Sequence, residues 1–404
     1  MKPTTKKRID QAAQLLKDRQ FLFRAGRKMS ELGLVGEARN RHIVLLGGVT
    51  AILKNRRRRA SVLVAGPSGS GKSKVIESAL ELFPKEWVIR RASFTRHALA
   101  YNEESLDGKI LYVTEYDGGR ECQYNLRILQ SEGEIAHEFT VGRKTDVTRR
   151  LGSPVVLTTS TGKIFQDDST RFLTINIDET AEQNVAVFKS ELGVKADSGE
   201  PPKAVWQEAI QSLRDGYEPL EFPSWFEYVA EQVPSDKVRA RRDWKRFLGL
   251  TEAVAICSPD PKRDGKITFA DYVIAHGILE SALAATMYAV NENELRVQRA
   301  VRRLRKEQDR AVTIKEVREY LGWKQEMTYK YVRAAADHKL IAYQPGNEEK
   351  NIKRLLPVVG TSGTFLPSPR RVLQDVKELG PSVEYVDPIS GAVKTLARSR
   401  GAAA

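Results

Sequence analysis

The sequence is 404 residues long, which is enough for two or three domains with an ordinary hydrophobic core. Hydrophobic residues make up 41% and charged residues 29% of the chain, a balance typical of globular proteins. No apolar run reaches the roughly 18 to 20 residues that cross a bilayer, and the opening run MKPTTKKRIDQ lacks the apolar core of a signal peptide. We therefore expect a cytoplasmic protein without membrane contact.

Charge and cysteine content narrow the possible partners. The chain has 66 Lys and Arg residues against 52 Asp and Glu residues, a formal net charge of +14. This excess favours a polyanionic partner through counterion release. Its two cysteines, Cys122 and Cys257, are far apart and have no histidines at metal-ligand spacing, which excludes a zinc finger within the sequence.

The first half of the chain changes pattern once. Residues 1–58 have apolar residues at helical spacing, and a first helical stretch ends at Gly33. Residues 59–190 alternate short β-branched runs with helices, which predicts an α/β fold with a parallel sheet. The candidate strands are SVLVA, EWVIRRA, KILYVTE, SPVVLTTS and RFLTINID.

Three further segments are predicted. Residues 191–292 are helical again and are predicted to form a helical lid. Residues 293–358 have the order long basic helix, short helix, turn, helix and strand pair, which predicts a winged helix. Residues 359–404 begin with the Gly/Ser/Pro-rich run GTSGTFLPSP and are expected to form a flexible tail.

The run LVAGPSGSGKS, residues 63–73, matches the phosphate-loop pattern GxxxxGKS in full. It follows a predicted strand and opens a predicted helix, as phosphate binding by backbone amides requires. Lys72 is expected to reach the outer phosphates and Ser73 to hold Mg²⁺. The predicted nucleotide-binding residues are Gly66, Pro67, Ser68, Gly69, Ser70, Gly71, Lys72 and Ser73.

A second polar motif follows the apolar run ILYV. Most P-loop ATPases have Asp and then Glu at the end of this strand, but here the pair is Thr114 and Glu115. Threonine cannot supply the anion, so Glu115 is predicted to be the catalytic carboxylate and a magnesium ligand. The water shell of Mg²⁺ would be held by Thr114 or Asp117. The alternative, that Glu115 only caps the strand end, stays open.

At this point the chain resembles a known family. The runs ELGLVGEARNRHIVLLGGVTAIL, GPSGSGKSKVIESALELFP, LDGKILYVTEYDGG, PVVLTTSTGKIFQDDSTRFLTINIDETAEQN and VRARRDWKRFL are similar to the AAA+ ATPase domain of primase-helicase proteins in phages and mobile elements. The resemblance covers residues 20–275. It implies ATP and Mg²⁺ as cofactors, and a lone glutamate in the second motif is a habit of the family. The zinc-finger and Toprim primase half is absent from this sequence.

A more distant similarity to MCM-type helicases implies roles for further residues. Thr158 or Thr159 would sense the γ-phosphate, and Arg171 would be an arginine finger for the nucleotide of a neighbouring subunit. Arg239 aligns best with the sensor 2 arginine, and Arg242, one turn away, is nearly as plausible. Strand threonines, a surface salt bridge at Arg171 and a solvated basic helix are the respective alternatives.

The segment EIAHEFTVGRKTDVTRR predicts a β-hairpin, because apolar residues alternate on both sides of a Gly-Arg-Lys turn. In hexameric AAA+ helicases a hairpin at this place grips nucleic acid in the central pore. The resemblance therefore implies that Arg143 and Lys144 contact phosphates of single-stranded DNA. The alternative is a hairpin that only covers a sheet edge.

The predicted winged helix is a second candidate for DNA contact. Its recognition helix would offer Lys324, Gln325, Thr328, Lys330 and Arg333 to duplex DNA, with Tyr329, Val332 and Leu340 in the core. Winged helices also bind other proteins, so protein binding stays open as the alternative to DNA contact.

These patterns favour an ATP-dependent DNA helicase or translocase, self-associated as a hexamer, in the replication of a phage or mobile element, with a separately encoded primase. The alternative is a DNA-binding replication initiator or loader that uses ATP as an assembly switch. A P-loop kinase is disfavoured because it leaves Arg171 and the hairpin without a shared explanation.

Overall fold

The computed structural model forms two compact units. One comprises Met1–Leu279 with Pro367–Ala404, and the other Glu280–Leu366. The described residues are 3–92, 105–116, 126–130, 132–141, 144–161, 170–193, 198–237, 239–260, 263–344, 353–358 and 364–399.

The larger unit is built on a parallel sheet. In chain order, its strands in the described residues are β1 (Val62–Ala65), β2 (Val88–Arg91), β3 (Ile110–Val113), β6 (Val155–Ser160) and β7 (Leu173–Asn176). They lie in the order β2-β3-β6-β1-β7, so β1 is paired on both sides. Each predicted strand run contains one of these strands, which confirms the predicted α/β fold with a parallel sheet.

The helices of the N-terminal region are α1 (Pro3–Leu16), α2 (Phe21–Glu31) and α3 (Asn40–Val49), and α4 (Lys72–Leu80) follows the phosphate loop. Of these, α3 and α4 pack directly on the sheet. Every residue of α3 but Arg41 is buried. A Cβ added to Gly47 would lie 2.8 Å from Val62 and one added to Gly48 would lie 2.5 Å from Phe83. The two glycines thus let α3 approach the sheet closely.

The region after the sheet is helical in its described part. Its helices are α5 (Ala181–Glu191), α6 (Lys203–Asp215), α7 (Phe226–Gln232), α8 (Ala240–Cys257) and α9 (Phe269–Tyr288). Trp206 of α6 packs on Phe21 of α2 with ring centroids 5.3 Å apart. The N-terminal helices and the helices expected as a lid therefore share one core.

A two-stranded hairpin precedes β6. Its strands are β4 (Glu134–Val141) and β5 (Lys144–Leu151), and they pair with each other rather than with the central sheet. The amide of Gly152 donates to the carbonyl of Gly133 at 2.9 Å and closes the base. Arg143 lies outside the described residues, and only the backbone of Lys144 lies within them. The predicted phosphate contacts of both therefore stay predictions.

The expected flexible tail is wrong for residues 364–399, which are folded. They form α13 (Pro369–Asp375) and the hairpin of β11 (Ser382–Val386) and β12 (Val393–Ala397). Arg398 ties the segment together by donating to the carbonyls of Leu373 and Val376 at 2.8 and 2.7 Å. The Gly/Ser/Pro-rich run suggested a tail, but the chain beyond it supplies apolar residues that are buried.

The smaller unit has its own core. Its elements, beside the end of α9, are α10 (Glu292–Gln308), β8 (Val312–Thr313), α11 (Ile314–Leu321), α12 (Gln325–Asp337), β9 (Ile341–Tyr343) and β10 (Arg354–Pro357). The strands form a sheet in the order β8-β10-β9. Capping boxes begin α10, through Asn291 and Glu294, and α11, through Thr313 and Glu316.

The exposed face of α12 is shifted by one position along the sequence from the predicted face. Thr328, expected at the surface, is fully buried and donates its hydroxyl to the carbonyl of Lys324 at 2.9 Å. Tyr329, expected in the core, is 51% exposed. The core-facing stripe is Thr328, Tyr331, Val332 and Ala335, the i, i+3, i+4, i+7 positions of a helix. Val332 and Leu340 are buried, as predicted.

A prediction follows from two helix-interior glycines of the larger unit. A Cβ on Gly249 of α8 would overlap the backbone carbonyl of Arg58, whereas a Cβ on Gly277 of α9 would meet nothing within 4 Å. We expect Gly249→Ala to lower the free energy of unfolding by about 1 to 3 kcal/mol, because the helix must move away from residue 58. Gly277→Ala should raise it by up to about 1 kcal/mol through helix propensity. Chemical denaturation of both variants tests this, and equal effects would contradict the close packing of α8.

Candidate nucleotide-binding site

The loop between β1 and α4 has the backbone that phosphate binding requires. Gly69 and Gly71 have φ angles of +77° and +86°, a conformation that side chains disfavour. The Pro67 carbonyl accepts from the hydroxyl of Ser70 at 2.8 Å and from the ammonium of Lys72. Because the first turn of a helix leaves its amides without intrahelical partners, the start of α4 can donate to an anion.

Lys72 is placed to meet phosphate. Its side chain is buried, with 7% of the residue exposed. Burial lowers the pKa of Lys72, and the negative charge of Glu115 opposes that shift. The two predicted residues thus act on each other across the loop, as a site for a magnesium nucleotide requires.

The end of β3 presents Thr114 and Glu115 at the surface. The hydroxyl of Thr114 donates to the Ala92 carbonyl at 3.3 Å, towards β2. The next residue, Tyr116, is buried against the edge of the Phe172 ring, with centroids 5.2 Å apart. Glu115 is therefore the carboxylate that this strand offers to the loop within the described residues. Asp117, the alternative for holding the magnesium water shell, lies outside them.

The two candidate sensor threonines are both used inside the protein. Thr158 is fully buried and donates to the carbonyl of Val113 at 2.8 Å. The hydroxyl of Thr159 donates to the carbonyl of Thr114. Each hydroxyl thus holds the end of β3 against β6. Thr159 bonds to the residue beside Glu115, the predicted catalytic carboxylate.

Two polar contacts near the loop were missed by sequence reasoning. The hydroxyl of Tyr112 on β3 donates to the carboxylate of Glu77 on α4 at 3.5 Å, and Ser73 lies beside it. Burial raises the pKa of Tyr112, the Ser73 contact lowers it, and the charge of Glu77 raises it further. Ser73, the predicted magnesium ligand, thus has a tyrosine hydroxyl beside it. The signal was a single hydroxyl in an otherwise apolar strand.

The second missed contact joins the N-terminal region to the loop. Glu37, with a φ of +52°, accepts from the Asn40 side chain at 2.5 Å and from the Asp178 amide at 2.9 Å. Asn40 also donates to the Asn176 carbonyl at 2.8 Å, at the end of β7. Burial raises the pKa of Glu37. These bonds fix the chain at residues 176–178. Ile177 lies beside the phosphate loop, since a Cβ added to Gly66 would lie 3.4 Å from it.

A polar pocket of about 460 Å³ lies at the other edge of the sheet, where β1, β6 and β7 begin. We call it the basic pocket. One acidic and seven cationic side chains line it, beside Ser61, Gln130, Ser153 and Pro154. The charged lining residues are Glu132, Arg56, Arg57, Arg59, Arg171, Arg242, Lys245 and Arg246.

Arg171 lies in this pocket, directly before β7, and donates to the carbonyl of Arg127 at 3.2 Å. The alternative, a surface salt bridge with Asp167 or Asp168, falls on residues outside the described part of the chain and stays open. Arg242, the alternative sensor 2 residue, also lines the pocket and donates to the hydroxyl of Thr170 at 2.5 Å. The structure thus brings Arg171 and Arg242 together.

Arg239 shares a buried carboxylate with Arg246, a residue that lines the basic pocket. It donates to Asp243 at 2.7 Å, and Arg246 donates to the same carboxylate at 2.6 Å. Asp243 is fully buried. Arg246 also reaches the Thr170 carbonyl at 2.6 Å, and burial lowers its pKa to about 10 despite the opposing charge of Asp243. One buried carboxylate therefore orders two arginines at the pocket wall.

Removing the carboxylate of Asp243 is expected to destabilise the folded protein. We expect Asp243→Ala to lower the free energy of unfolding by about 3 to 5 kcal/mol, because it leaves the charge of Arg246 buried without its partner. Asp236→Ala is the matched control, since Asp236 pairs with Lys237 in solvent, and its effect should stay below about 0.5 kcal/mol. Urea denaturation measures both, and similar midpoints for the two variants would refute the buried-pair account.

No group of three or more His, Cys, Asp or Glu residues in the described part of the chain could hold a metal ion. Across the described ranges, no single helix is long and apolar enough to span a bilayer.

Comparison with known proteins agrees with the loop geometry. Residues 35–218 match the family model described as MTBMA_p00010 P-loop domain. A search of curated proteins found no match. The matched range contains the phosphate loop, the five strands of the central sheet and Arg171. A P-loop domain generally binds a nucleotide with Mg²⁺, and the match supports the conclusion that this chain carries a P-loop NTPase domain.

Proposed function

We propose that the protein is an ATP-dependent DNA helicase or translocase of the AAA+ class, acting as a ring of identical copies in the replication of a phage or mobile element. The observation that carries this proposal is the basic pocket. It concentrates cationic side chains at the edge of the sheet opposite the phosphate loop.

The two sites cannot serve one nucleotide within a single copy. The phosphate loop begins at Gly66, after the last residue of β1, whereas Ser61 in the basic pocket precedes its first residue. Five residues of extended chain span roughly 16 Å, which is well beyond the length of an arginine side chain. Arg171 would then act on the nucleotide of a second copy, and a repeated contact of this kind forms a ring when the rotation between copies closes.

Electrostatics supports the same arrangement. Asp107 pairs with Arg56 and Arg59, and Asp243 pairs with Arg246, but the seven cationic side chains still outnumber these two carboxylates and Glu132, so the pocket favours an anion. The phosphates of a nucleotide held by another copy would supply that charge. An arginine provided in this way stabilises the transition state of phosphoryl transfer and contributes a factor of about 10³ to 10⁵ in turnover.

DNA is the proposed substrate of the motor. The β4–β5 hairpin begins beside the basic pocket. A Cβ added to Gly133, at the base of the hairpin, would lie 3.8 Å from Arg56, which lines the pocket. Its predicted tip residues, Arg143 and Lys144, would hold single-stranded DNA. The net charge of +14 is consistent with a polyanionic substrate. The number of copies, proposed as six, and a separate primase follow from the family resemblance.

The smaller unit would contribute a second DNA contact as a winged helix. Its order of helices and strands, with the sheet β8-β10-β9 behind α12, is the observation behind this proposal. Lys324, Lys330 and Arg333 are exposed on α12 or at its start, where they would be available to nucleic acid.

A second candidate function is an initiator or loader that uses ATP as an assembly switch. One observation favours it: Thr114 replaces the usual aspartate, and its hydroxyl is directed to the Ala92 carbonyl. Slow hydrolysis would then be sufficient, because binding alone would order the ring. The two candidates differ in turnover, not in the nucleotide site.

Subunit mixing tests the shared site. Arg171→Ala and Glu115→Gln should each bind ATP but hydrolyse it about a thousandfold more slowly than wild type. An equal mixture should recover about a quarter of wild-type turnover, since that share of contacts pairs an intact Glu115 with an intact Arg171. Steady-state hydrolysis measures this, with Lys72→Ala as the control that loses nucleotide binding. A mixture as inactive as its components, with assembly intact, would exclude the shared site.

Charge reversal tests the hairpin. Arg143→Glu with Lys144→Glu should abolish the stimulation of hydrolysis by single-stranded DNA and leave nucleotide binding intact, because the phosphates lose their partners. Lys6→Glu with Lys7→Glu is the matched control, an adjacent exposed pair on α1 with no proposed contact. Hydrolysis is measured with and without DNA. Stimulation that survives in the hairpin variant would show that the strand is held elsewhere.

A further inference from the structure

The smaller unit exposes aromatic rings that the proposed function does not use. Tyr320, Tyr329 and Tyr343 are 44%, 51% and 40% exposed. Tyrosine combines a large apolar ring with a polar hydroxyl, and exposed tyrosines are enriched in binding sites. We propose that Tyr329 and Tyr343, together with Arg333 and Lys353, form a site for an unpaired nucleotide of single-stranded nucleic acid.

The four side chains come from neighbouring elements. Tyr329 and Arg333 are four residues apart on α12, so they lie on the same face of the helix. Tyr343 is the last residue of β9, the strand that follows α12. Lys353 directly precedes β10, and its ammonium lies 5.5 Å from the centre of the Tyr343 ring. Helix and sheet therefore bring two rings and two cations to one surface.

α12 packs against β9, and the pKa of Tyr343 on β9 responds to groups on α12. Partial burial raises the pKa of Tyr343, and the charge of Asp337 raises it further. Arg333 lowers the pKa, and Tyr329 also acts on it. Asp337 is the acidic group of this cluster, and it is outnumbered by Arg333 and Lys353. The surface is thus basic as well as aromatic.

This combination matches one kind of ligand. A nucleotide has a flat base that stacks on a ring and a phosphate that pairs with a cation, and binding of unpaired strands uses both contacts. Bases inside a duplex already stack on one another, so their faces are not available to Tyr329 or Tyr343. The residue expected to help read a duplex, Thr328, is buried. The site therefore favours single strands over duplexes.

The inference rests on the proposed binding of nucleic acid, but it does not depend on ATP hydrolysis or ring assembly. The test uses the full chain and fluorescence anisotropy, with an oligothymidine and a duplex of the same length. Tyr329→Ala and Tyr343→Ala should each weaken single-strand binding about tenfold. The phenylalanine variants should retain it, because the ring remains. Duplex affinity should not change.

Tyr320→Ala is the matched control. Tyr320 is an exposed tyrosine of the same unit, on α11 beside Arg303, whose guanidinium lies 5.8 Å from its ring centre. Its loss should leave both affinities at the wild-type value. Two results would overturn the inference: alanine variants of Tyr329 and Tyr343 that bind single strands as tightly as Tyr320→Ala, or a loss that is equal for single strand and duplex.

Crosslinking separates this site from the hairpin. Irradiation of an oligothymidine carrying 5-iodouracil should join it to peptides that contain Tyr329 or Tyr343. Crosslinks confined to peptides of residues 134–151 would overturn the inference. If hydrolysis is absent while the single-strand effects and crosslinks are present, the proposed motor fails and this site stands. If hydrolysis and mixing behave as expected without these effects, only this site fails.

Discussion

The direction of strand β1 is the constraint on which the rest of the molecule depends. It is paired on both sides in a parallel sheet, so its two ends cannot approach each other. One end leads into the phosphate loop and the other follows the run of arginines at residues 56–59. A parallel sheet of short strands thus holds an anion-binding loop and a cationic pocket apart at a set distance. In the proposed function, each would be half of a site that two copies complete.

Close packing transmits this constraint to the helices. The glycines of α3 allow it to touch the sheet, and Gly249 allows α8 to touch the arginine run at residue 58. Because α8 also has Asp243, the same contact brings a buried carboxylate and its two arginines to the pocket wall. Shape and charge are therefore set together. A helix that moved away from the sheet would lose both the packing and the order of its cationic side chains.

The contacts with nucleic acid that we propose for the two units differ in their physical means. The hairpin of the larger unit has its charge at a predicted tip, which suits contact with a phosphate backbone and is indifferent to base pairing. The smaller unit combines exposed rings with cations, which suits bases that are not stacked in a duplex. A protein that opens DNA meets both kinds of surface, since it must hold a backbone and tolerate the bases that it exposes.

The amino-acid sequence alone determined the local features. Five apolar runs of strand length predicted five strands, and GPSGSGKS predicted the phosphate loop, because these patterns arise from neighbouring residues. Tertiary structure decided what distant segments do together. The basic pocket gathers residues from 56 to 246, and Ser73 meets Tyr112, which no local pattern could indicate. The phase of α12 and the folded C-terminal segment also depend on packing partners elsewhere in the chain. Local preference predicts an element, but only burial against the rest of the protein decides which of its faces is left for function.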